Sequence, residues 1–160
     1  MEKFTISLKT LPLVAVCFIL MAFCVPPDLL EESQLLQKIL KDHHNETLEN
    51  PALKRYELNV TNSGFCRYKR YFTSGKVEYF SFNLVKFKSL DYYGNDKLGS
   101  LILRTNGDDV IVQTYNDRKQ GDIDSMANYM SIPIKNIEPQ ELNDLSERLV
   151  KMNAQLLAQK

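Results

Sequence analysis

The feature that most constrains the fold is a change in the spacing of apolar residues along the chain. Between Tyr56 and Tyr115, apolar side chains alternate with polar ones over short stretches, which is the period of a half-buried strand. Before this region, over residues 28–42, and after it, from Pro139 onward, apolar residues recur every three or four positions, as in an amphipathic helix. This order predicts an α+β fold with an antiparallel sheet and a helix at each end.

Both helices have recognisable starts. Asp28 and Glu31 have the spacing of a capping box, and the apolar stripe that follows predicts a helix over residues 28–42. Pro139 suits the first position of the second helix, where its missing N–H costs nothing. The stripe of the second helix contains Leu142, Leu145, Leu149, Met152 and Leu156, and is widened by Val150 and Leu157.

Five strands are predicted, separated by turns rich in Asn, Gly, Ser and Thr. A wider loop is expected at residues 89–97, and a short helix at 124–130 in an otherwise irregular stretch. We expect the five strands to form one antiparallel sheet, with the N-terminal and C-terminal helices packed on one of its faces. The predicted strands are 56–60, 65–72, 77–87, 98–105 and 108–115.

The last two of these strands are predicted to form a hairpin. Asn106-Gly107 suits a two-residue type I′ turn, because both residues tolerate positive φ. The resulting register collects apolar residues on one face and charged residues on the other, and a slip by one residue would bury the charges. The predicted pairs include Leu103 with Val110, Leu101 with Val112, and Arg104 with Asp109.

The first 25 residues predict export. A lead with Lys3 and Lys9 is followed by the uncharged residues 11–25, a length typical of a secretory signal and short for a membrane-spanning helix. Cleavage after Cys24 would leave residues 25–160 as a single α+β domain. An uncleaved segment 11–25 would instead tether the protein to a membrane, and a lipidated Cys24 is a further alternative. We therefore expect an exported protein of the cell envelope or extracellular space.

Charge and cysteine content narrow the function classes. The chain has 20 basic and 20 acidic residues, and residues 1–24 contain two lysines and one glutamate, so residues 25–160 carry a net charge of about −1. Nucleic-acid binding relies on accumulated positive charge and is not expected. Cys66 is the one cysteine after residue 24, so no internal disulfide is available and the core must suffice. We expect this thiol to be buried and inert.

Residues 54–93 are the strongest candidate for a binding surface. The stretch contains 11 aromatic residues and eight cations against three carboxylates, a local charge of about +5. Aromatic faces with neighbouring cations can bind sugars, phosphate, sulfate or anionic lipid. The structural alternative is that half of these rings belong to the core. The candidate binding residues are Arg67, Lys69, Arg70, Tyr92 and Tyr93.

Other polar clusters do not indicate a known site. His43 and His44 have no further Cys or His at metal-ligand spacing and are expected to be solvated at the end of the helix. The acidic residues between Asp108 and Asp124 lack the spacing of an EF-hand loop and suit turns. No metal, cofactor or catalytic residue is predicted. Asn45-Glu46-Thr47 and Asn59-Val60-Thr61 match the glycosylation pattern, as chance alone allows.

These observations favour a small exported domain that binds or scaffolds rather than catalyses. Its partner would be an unknown protein, a glycan or an anionic lipid surface. One alternative is an envelope hydrolase or transferase, which requires a pocket with a carboxylate and a hydroxyl beside His43 or His44. Another is a carrier of small apolar ligands, with a cavity lined by residues 80–87 and 101–112.

Overall fold

Two helices flank a set of antiparallel strands in the computed structural model, which describes residues 29–47 and 52–159. The α+β class is therefore confirmed. The predicted signal or anchor segment and the Asp28 cap lie outside the described residues. Within the described residues, neither helix combines the length and hydrophobicity needed to cross a membrane.

Both predicted helices are confirmed, with small differences. Helix α1 covers Leu29–Asp42, and α2 covers Pro139–Ala158 behind a capping box formed by Glu138 and Glu141. The stripe on α2 buries Leu145, Leu149, Met152 and Leu156. The widening of that stripe was a wrong prediction, because Val150 is 55% exposed and Leu157 is 50% exposed.

Eight strands form two sheets, where the sequence predicted five strands in one sheet. The larger sheet has the order β1-β2-β3-β6-β7, and the smaller has the order β4-β5-β8. A short 3-10 turn at Leu84–Lys86 separates β3 from β4. The strands are β1 (Leu53–Val60), β2 (Phe65–Phe72), β3 (Val77–Asn83), β4 (Phe87–Gly94), β5 (Leu98–Thr105), β6 (Val110–Tyr115), β7 (Ile123–Ala127) and β8 (Tyr129–Lys135).

A long, bent hairpin joins the two sheets. Residues 77–94 run antiparallel to residues 98–115, so that β3 pairs with β6 in the larger sheet and β4 pairs with β5 in the smaller one. The hairpin turn lies at residues 95–97, where Asn95 Oδ1 accepts hydrogen bonds from two backbone N–H groups. The bend lies midway, where Asn106 N donates to Lys86 O at 3.0 Å.

The predicted pairing of β5 with β6 was therefore wrong. Asn106-Gly107 lies at the corner between the two sheets, a position that tolerates the same flexible residues as a hairpin turn. The predicted Arg104–Asp109 ion pair is replaced by Arg104–Asp91 and Lys86–Asp109. Leu103 and Val110 are still buried in one core, but they reach it from different sheets. The sequence thus predicted correctly that Leu103 and Val110 are buried, but it predicted the wrong partner strand for each of β5 and β6.

Strands β4, β7 and β8 were not predicted, because their sequence signals are weak. The predicted loop at 89–97 is mostly β4, and the predicted short helix at 124–130 is replaced by β7 and β8. Side chains of β7 are exposed on both faces, so they do not alternate in hydropathy. Pro133 lies inside β8, where its carbonyl still accepts a hydrogen bond from Asn45 N at 2.9 Å.

The bend at Leu84 is held by contacts from the β1–β2 turn and from α2. Leu84 N donates to Gly64 O at 2.7 Å, and Leu84 O accepts from the side-chain amide of Asn153 on α2 at 2.6 Å. Gly64 has φ of 85°, and a Cβ there would lie 2.4 Å from a methyl carbon of Leu156. The turn between β1 and β2 therefore needs glycine both for its backbone angle and for its contact with α2.

Residues 43–45 continue the smaller sheet beyond β8. His44 forms an antiparallel bridge with Ile134, and Lys135 N donates to His43 O at 2.7 Å. Asn45 is only 1% exposed, and its Oδ1 accepts hydrogen bonds from Thr47 N and Thr47 Oγ1 at 2.9 and 2.8 Å. The end of α1 is thus fixed against the edge of β8.

One core connects both sheets and both helices. We call the side of each sheet that contributes to it the inner face and the opposite side the outer face. The core includes buried residues from every helix and strand except β7, together with Ile137 in the loop before α2. Its fully buried members include Leu36 (α1), Leu58 (β1), Tyr68 (β2), Leu101 (β5), Ile132 (β8) and Leu145 (α2).

Candidate functional site

The five predicted binding residues do not lie on one surface. Arg67 and Lys69 are on the outer face of β2, whereas Arg70, one position further along, points to the inner face. Tyr92 and Tyr93 belong to the smaller sheet, where Tyr92 packs against the core and Tyr93 is 61% exposed on the outer face. The structure therefore keeps only Arg67 and Lys69 together.

Arg70 is surrounded by aromatic rings and paired with an acid. Its guanidinium lies 5.5 Å from the ring centre of Tyr68, 5.2 Å from that of Phe80 and 5.6 Å from that of Phe72. It also forms an ion pair with Glu78, which accepts a second one from Lys76 at 2.8 Å. These contacts indicate a structural role for Arg70 at the end of the inner face.

Tyr92 closes the tight turn of the bent hairpin. Its hydroxyl donates to Asn95 O at 2.6 Å, and its ring covers Gly99, where a Cβ would lie 2.4 Å from the ring. Tyr93 lies on the outer face of the smaller sheet with Arg104 and Tyr129. Arg104 pairs with Asp91, and its guanidinium is 5.9 Å from the ring centre of Tyr129.

The outer face of the larger sheet carries aromatic and polar side chains from all five strands. Strand register places its side chains in three cross-strand rows, which we call the tyrosine face. The rows are Arg55–Tyr71–Val77–Tyr115, then Glu57–Lys69–Tyr79–Gln113–Asp124, and finally Asn59–Arg67–Ser81–Ile111–Met126.

Tyr71 is fixed at one side of the tyrosine face. The guanidinium of Arg55 lies 3.6 Å from its ring centre, and Lys69 Nζ lies 4.9 Å from it. Its hydroxyl donates to Glu57 Oε1 at 3.0 Å, and this hydrogen bond, followed by Arg55, lowers the pKa of Glu57. Hydrogen bonding with Tyr71 raises the pKa of Lys69. The charges on this side are therefore maintained over a wide pH range.

The middle and far side of the tyrosine face are less enclosed. Tyr79 lies half-buried at the centre, between Lys69 and Gln113. Tyr115 is 42% exposed and its hydroxyl donates to Gln113 Oε1 at 2.8 Å. Gln113 in turn donates to Asp124 Oδ1 at 3.4 Å. Two tyrosine rings are thus held beside amide, ammonium and carboxylate groups that can make directional hydrogen bonds.

His44 is buried, which contradicts the expectation of a solvated helix end. It is 2% exposed, its ring stacks 3.7 Å from that of Tyr56, and its Nε2 is hydrogen-bonded to Tyr68 Oη at 2.7 Å. Burial, together with the positive charges of Arg70 and Lys135, lowers its pKa to about 4. The imidazole is therefore neutral near pH 7 and lies between two tyrosines, where the charges of Arg70 and Lys135 disfavour its protonation.

His43 is partly buried and has a different environment. Its Nδ1 lies 3.2 Å from Lys135 O, and its Nε2 lies 3.3 Å from Glu141 Oε1. These partners join α1 to β8 and α2. The hydroxyl and carboxylate that a hydrolase would need beside one histidine are divided between the two residues, Tyr68 contacting His44 and Glu141 contacting His43.

Cys66 is buried on the inner face of β2. It is 1% exposed, and burial raises the pKa of its thiol to about 12. Since the thiolate is the reactive form, this cysteine is a poor nucleophile.

Asp109, Asp117, Asp122 and Asp124 of the acidic cluster make local contacts. Asp109 pairs with Lys86 at 3.3 Å, and Asp117 pairs with Lys76 at 3.1 Å while accepting from the backbone N–H of Lys119 at 2.9 Å. The backbone hydrogen bonds lower the pKa of Asp117 first, and Lys76 adds to them. Among residues 29–47 and 52–159, no group of three His, Cys, Asp or Glu side chains is arranged to hold a metal ion.

A shallow polar groove lies at one end of the larger sheet. Its volume is about 670 Å³, and it is formed by the β2–β3 turn and the loop after β6. The residues that an apolar-ligand cavity would require, among them Phe82, Leu84, Leu101 and Leu103, are packed into the core. The residues lining the groove are Ser74, Lys76, Asn116, Asp117, Arg118, Lys119 and Gln120.

Comparisons with known proteins identify no relative. No protein-family model, curated protein or solved structure matches the chain.

Proposed function

We propose that this chain is an exported, non-catalytic domain that binds an acidic polysaccharide through the tyrosine face. The observation that carries this proposal is the placement of Tyr79 and Tyr115 beside Lys69, Gln113 and the other polar groups of the same rows. Both helices pack from the inner side in this arrangement, which leaves the outer face open to a ligand.

The aromatic part of the face suits a sugar. Tyrosine offers a flat apolar ring, with little conformational freedom to lose, and a hydroxyl for hydrogen bonding. A sugar ring has one apolar C–H face and a rim of hydroxyl groups, so it can stack on Tyr79 or Tyr115 while its rim meets Lys69 and Gln113. One face of an antiparallel sheet can face water, and on this one the tyrosine rings lie among polar side chains that a sugar could reach.

The charge of the face favours an acidic ligand. Arg55, Arg67 and Lys69 outnumber Glu57 on β1 and β2, and Arg55 and Glu57 form an ion pair at 2.6 Å. Arg67 and Lys69 therefore remain to attract a carboxylate or sulfate on the sugar chain.

A lipid surface fits this distribution less well. Electrostatic binding to a membrane relies on several cations acting together. The eight cations of residues 54–93 are instead spread over both faces, and Arg70, Lys76 and Lys86 are paired with acids. The local charge of about +5 is thus not collected on one surface.

Gel electrophoresis through immobilised polysaccharide tests the proposal. We expect the protein to be retarded by alginate, an acidic polysaccharide, and much less by dextran, a neutral one. The double variant Tyr79→Ala, Tyr115→Ala should bind alginate at least about tenfold more weakly, since a ring contact contributes ~1 kcal/mol. Lys69→Ala should weaken binding to alginate more than any binding to dextran, because both polysaccharides lose a hydrogen-bond donor but only alginate also loses an attractive charge.

The matched control replaces two tyrosines on the other sheet. Tyr93 and Tyr129 are 61% and 46% exposed on the outer face of the smaller sheet, so Tyr93→Ala, Tyr129→Ala removes the same two rings elsewhere. We expect this variant to bind alginate normally. Equal loss in both double variants, no retardation by alginate, or binding to phosphatidylglycerol vesicles in preference to alginate would each contradict the proposal.

A further inference from the structure

Strands β7 and β8 form one continuous edge across both sheets. They run from Ile123 to Lys135 with Asn128 as the single residue between them, pairing first with β6 and then with β5. The β8 half of this edge is paired by residues 43–45 through the antiparallel bridge between His44 and Ile134. The β8 part of the edge is therefore already paired, in the antiparallel direction, with another segment of the same chain.

Among the residues that the structure describes, none protects the β7 half in the ways usual for an edge strand. All of its side chains are at least partly exposed, including Ile123 at 40% and Met126 at 53%. It contains no Lys, Arg or Pro, and its one charge, Asp124, is hydrogen-bonded to Gln113 in its own sheet. Charged side chains, proline and irregular pairing are the common means of preventing edge-to-edge contact.

The opposite edge of the same sheet has such protection. Strand β1 carries Lys54, Arg55 and Glu57, and its register with β2 shifts between Leu53 and Arg55. Helix α1 also packs against it. Of the two edges of the larger sheet, β7 is therefore the less protected one.

We propose that β7 pairs with β7 of a second copy of this chain, antiparallel about a two-fold axis at Met126. In that register Met126 faces Met126 of the second copy, and Asp124 faces the side-chain amide of Asn128. No like charges are directly opposite. The two larger sheets would join into one sheet of ten strands, with their outer faces on the same side.

The self-complementary pattern of β7 is why a second copy is the partner. An antiparallel two-fold contact must match its own sequence in reverse, and residues 124–128, which are β7 and the residue after it, have Met126 at the centre with Asp124 and Asn128 at equal distances from it. Ile111, the cross-strand neighbour of Met126, is 40% exposed and extends the apolar contact on both sides of the axis. A strand from another protein would not require this symmetry.

The contact is small, so the dimer is expected to be weak. A strand of this length with its neighbouring side chains buries less surface than a standard stable interface. Association should therefore depend on protein concentration within the micromolar range.

Sedimentation equilibrium from low-micromolar to near-millimolar concentration measures this association. We expect a reversible monomer–dimer equilibrium that Met126→Lys weakens at least about tenfold, because two like charges would then meet at the axis. Val150→Lys is the matched control, since Val150 is 55% exposed on α2. A monomer at all concentrations, or a dimer equally stable in both variants, would overturn the proposal.

Cross-linking tests the register without introducing a charge. In a Cys17→Ser, Cys24→Ser background, Met126→Cys should form a disulfide-linked dimer on mild oxidation, because directly opposed residues can have Cα atoms within the range of a disulfide. Val150→Cys in the same background should not, and Cys66 is buried. Equal cross-linking of both variants would show that the contact is not centred on Met126.

Discussion

His44 is the residue whose environment differs most from what its position in the sequence indicates. A histidine just after a helix normally stays in water, where its charge is favourable near the carbonyl groups of the helix end. Here the bridge to Ile134 turns the ring inward between Tyr56 and Tyr68. The consequence is a buried neutral imidazole in a protein with a net charge near zero.

This histidine should make the protein sensitive to acid. Its pKa is about 4 in the folded state and 6.5 as a reference for the unfolded state. As the pH falls from 6.5 to 4, the unfolded chain binds a proton that the folded protein does not, so the free energy of unfolding decreases by about 3 kcal/mol. Urea denaturation of wild type and His44→Gln at pH 7 and pH 4 measures the effect.

We expect His44→Gln to lose less stability than wild type between these pH values, even if it is less stable at pH 7. His43→Gln is the matched control, because it removes the neighbouring imidazole and leaves the buried ring between Tyr56 and Tyr68 in place, so we expect it to keep the acid sensitivity of wild type. An unchanged pH dependence in His44→Gln would mean that His44 is not the group responsible.

One buried carboxylate joins the two helices. Glu32 of α1 is 3% exposed and accepts hydrogen bonds from Arg148 at 3.0 Å and from Lys151 at 2.5 Å, both on α2. Burial alone would raise the pKa of Glu32, but the hydrogen bonds and charges of Lys151 and Arg148 outweigh it and lower the pKa. The charged form is therefore the one that stabilises the helix pair.

Removing this charge should destabilise the protein. Glu32→Gln keeps the shape of the side chain, and we expect the free energy of unfolding at pH 7 to fall by about 2 kcal/mol, since the two cations are partly exposed and can be hydrated. The contribution is complete above pH 4.5 and is lost as the pH falls further, because the folded pKa lies below this value. Thermal and urea denaturation at pH 7 measure the change.

Glu31→Gln is the control on the preceding residue, which is exposed. It should change the free energy of unfolding by less than about 0.5 kcal/mol. A similar loss in both variants would indicate a general effect of charge on α1 and not the contact with α2.

Elements with local signals could be predicted from the sequence, and pairing between distant elements could not. Pro139 marks the start of α2, and glycine-containing turns bound β2, so the first residue of α2 and both bounds of β2 were predicted. The β5–β6 hairpin failed because Asn106-Gly107 serves equally in a tight turn and in a corner between sheets. Alternation identifies the buried face of a strand and does not identify its neighbour.

The candidate site could be predicted only in part for a similar reason. The sequence shows that residues 54–93 are aromatic and basic, and Arg67 and Lys69 were predicted as binding residues for that reason. Tyr115 and Gln113 lie outside that stretch and join the tyrosine face only through the pairing of β6 with β3. Their contribution depends on the bent hairpin, which the sequence alone did not indicate.

For the whole molecule, the shared core should make the two sheets unfold together. Leu58 of β1 and Leu103 of β5 belong to different sheets but to the same buried cluster. Leu103→Ala should lower the free energy of unfolding by about 2–5 kcal/mol and reduce hydrogen-exchange protection in β1 and β2 as well as in β4 and β5.

Leu58→Ala is the reciprocal variant and should reduce protection in the smaller sheet. Hydrogen exchange followed by mass spectrometry measures protection in each strand separately. If Leu103→Ala affected only β4, β5 and β8, the sheets would be independent cooperative units in spite of their common core.

The burial of Asn45 also limits where a glycan can be attached to the chain. A sugar attached to this asparagine would replace a hydrogen on an amide nitrogen that has no access to solvent, so a chain carrying it could not complete the contact with β8. Asn59, the asparagine of the second acceptor pattern, is exposed on the outer face of β1 and presents no such conflict. The folded protein therefore has room for an asparagine-linked glycan at one of its two acceptor patterns, and biosynthesis must leave the other unmodified.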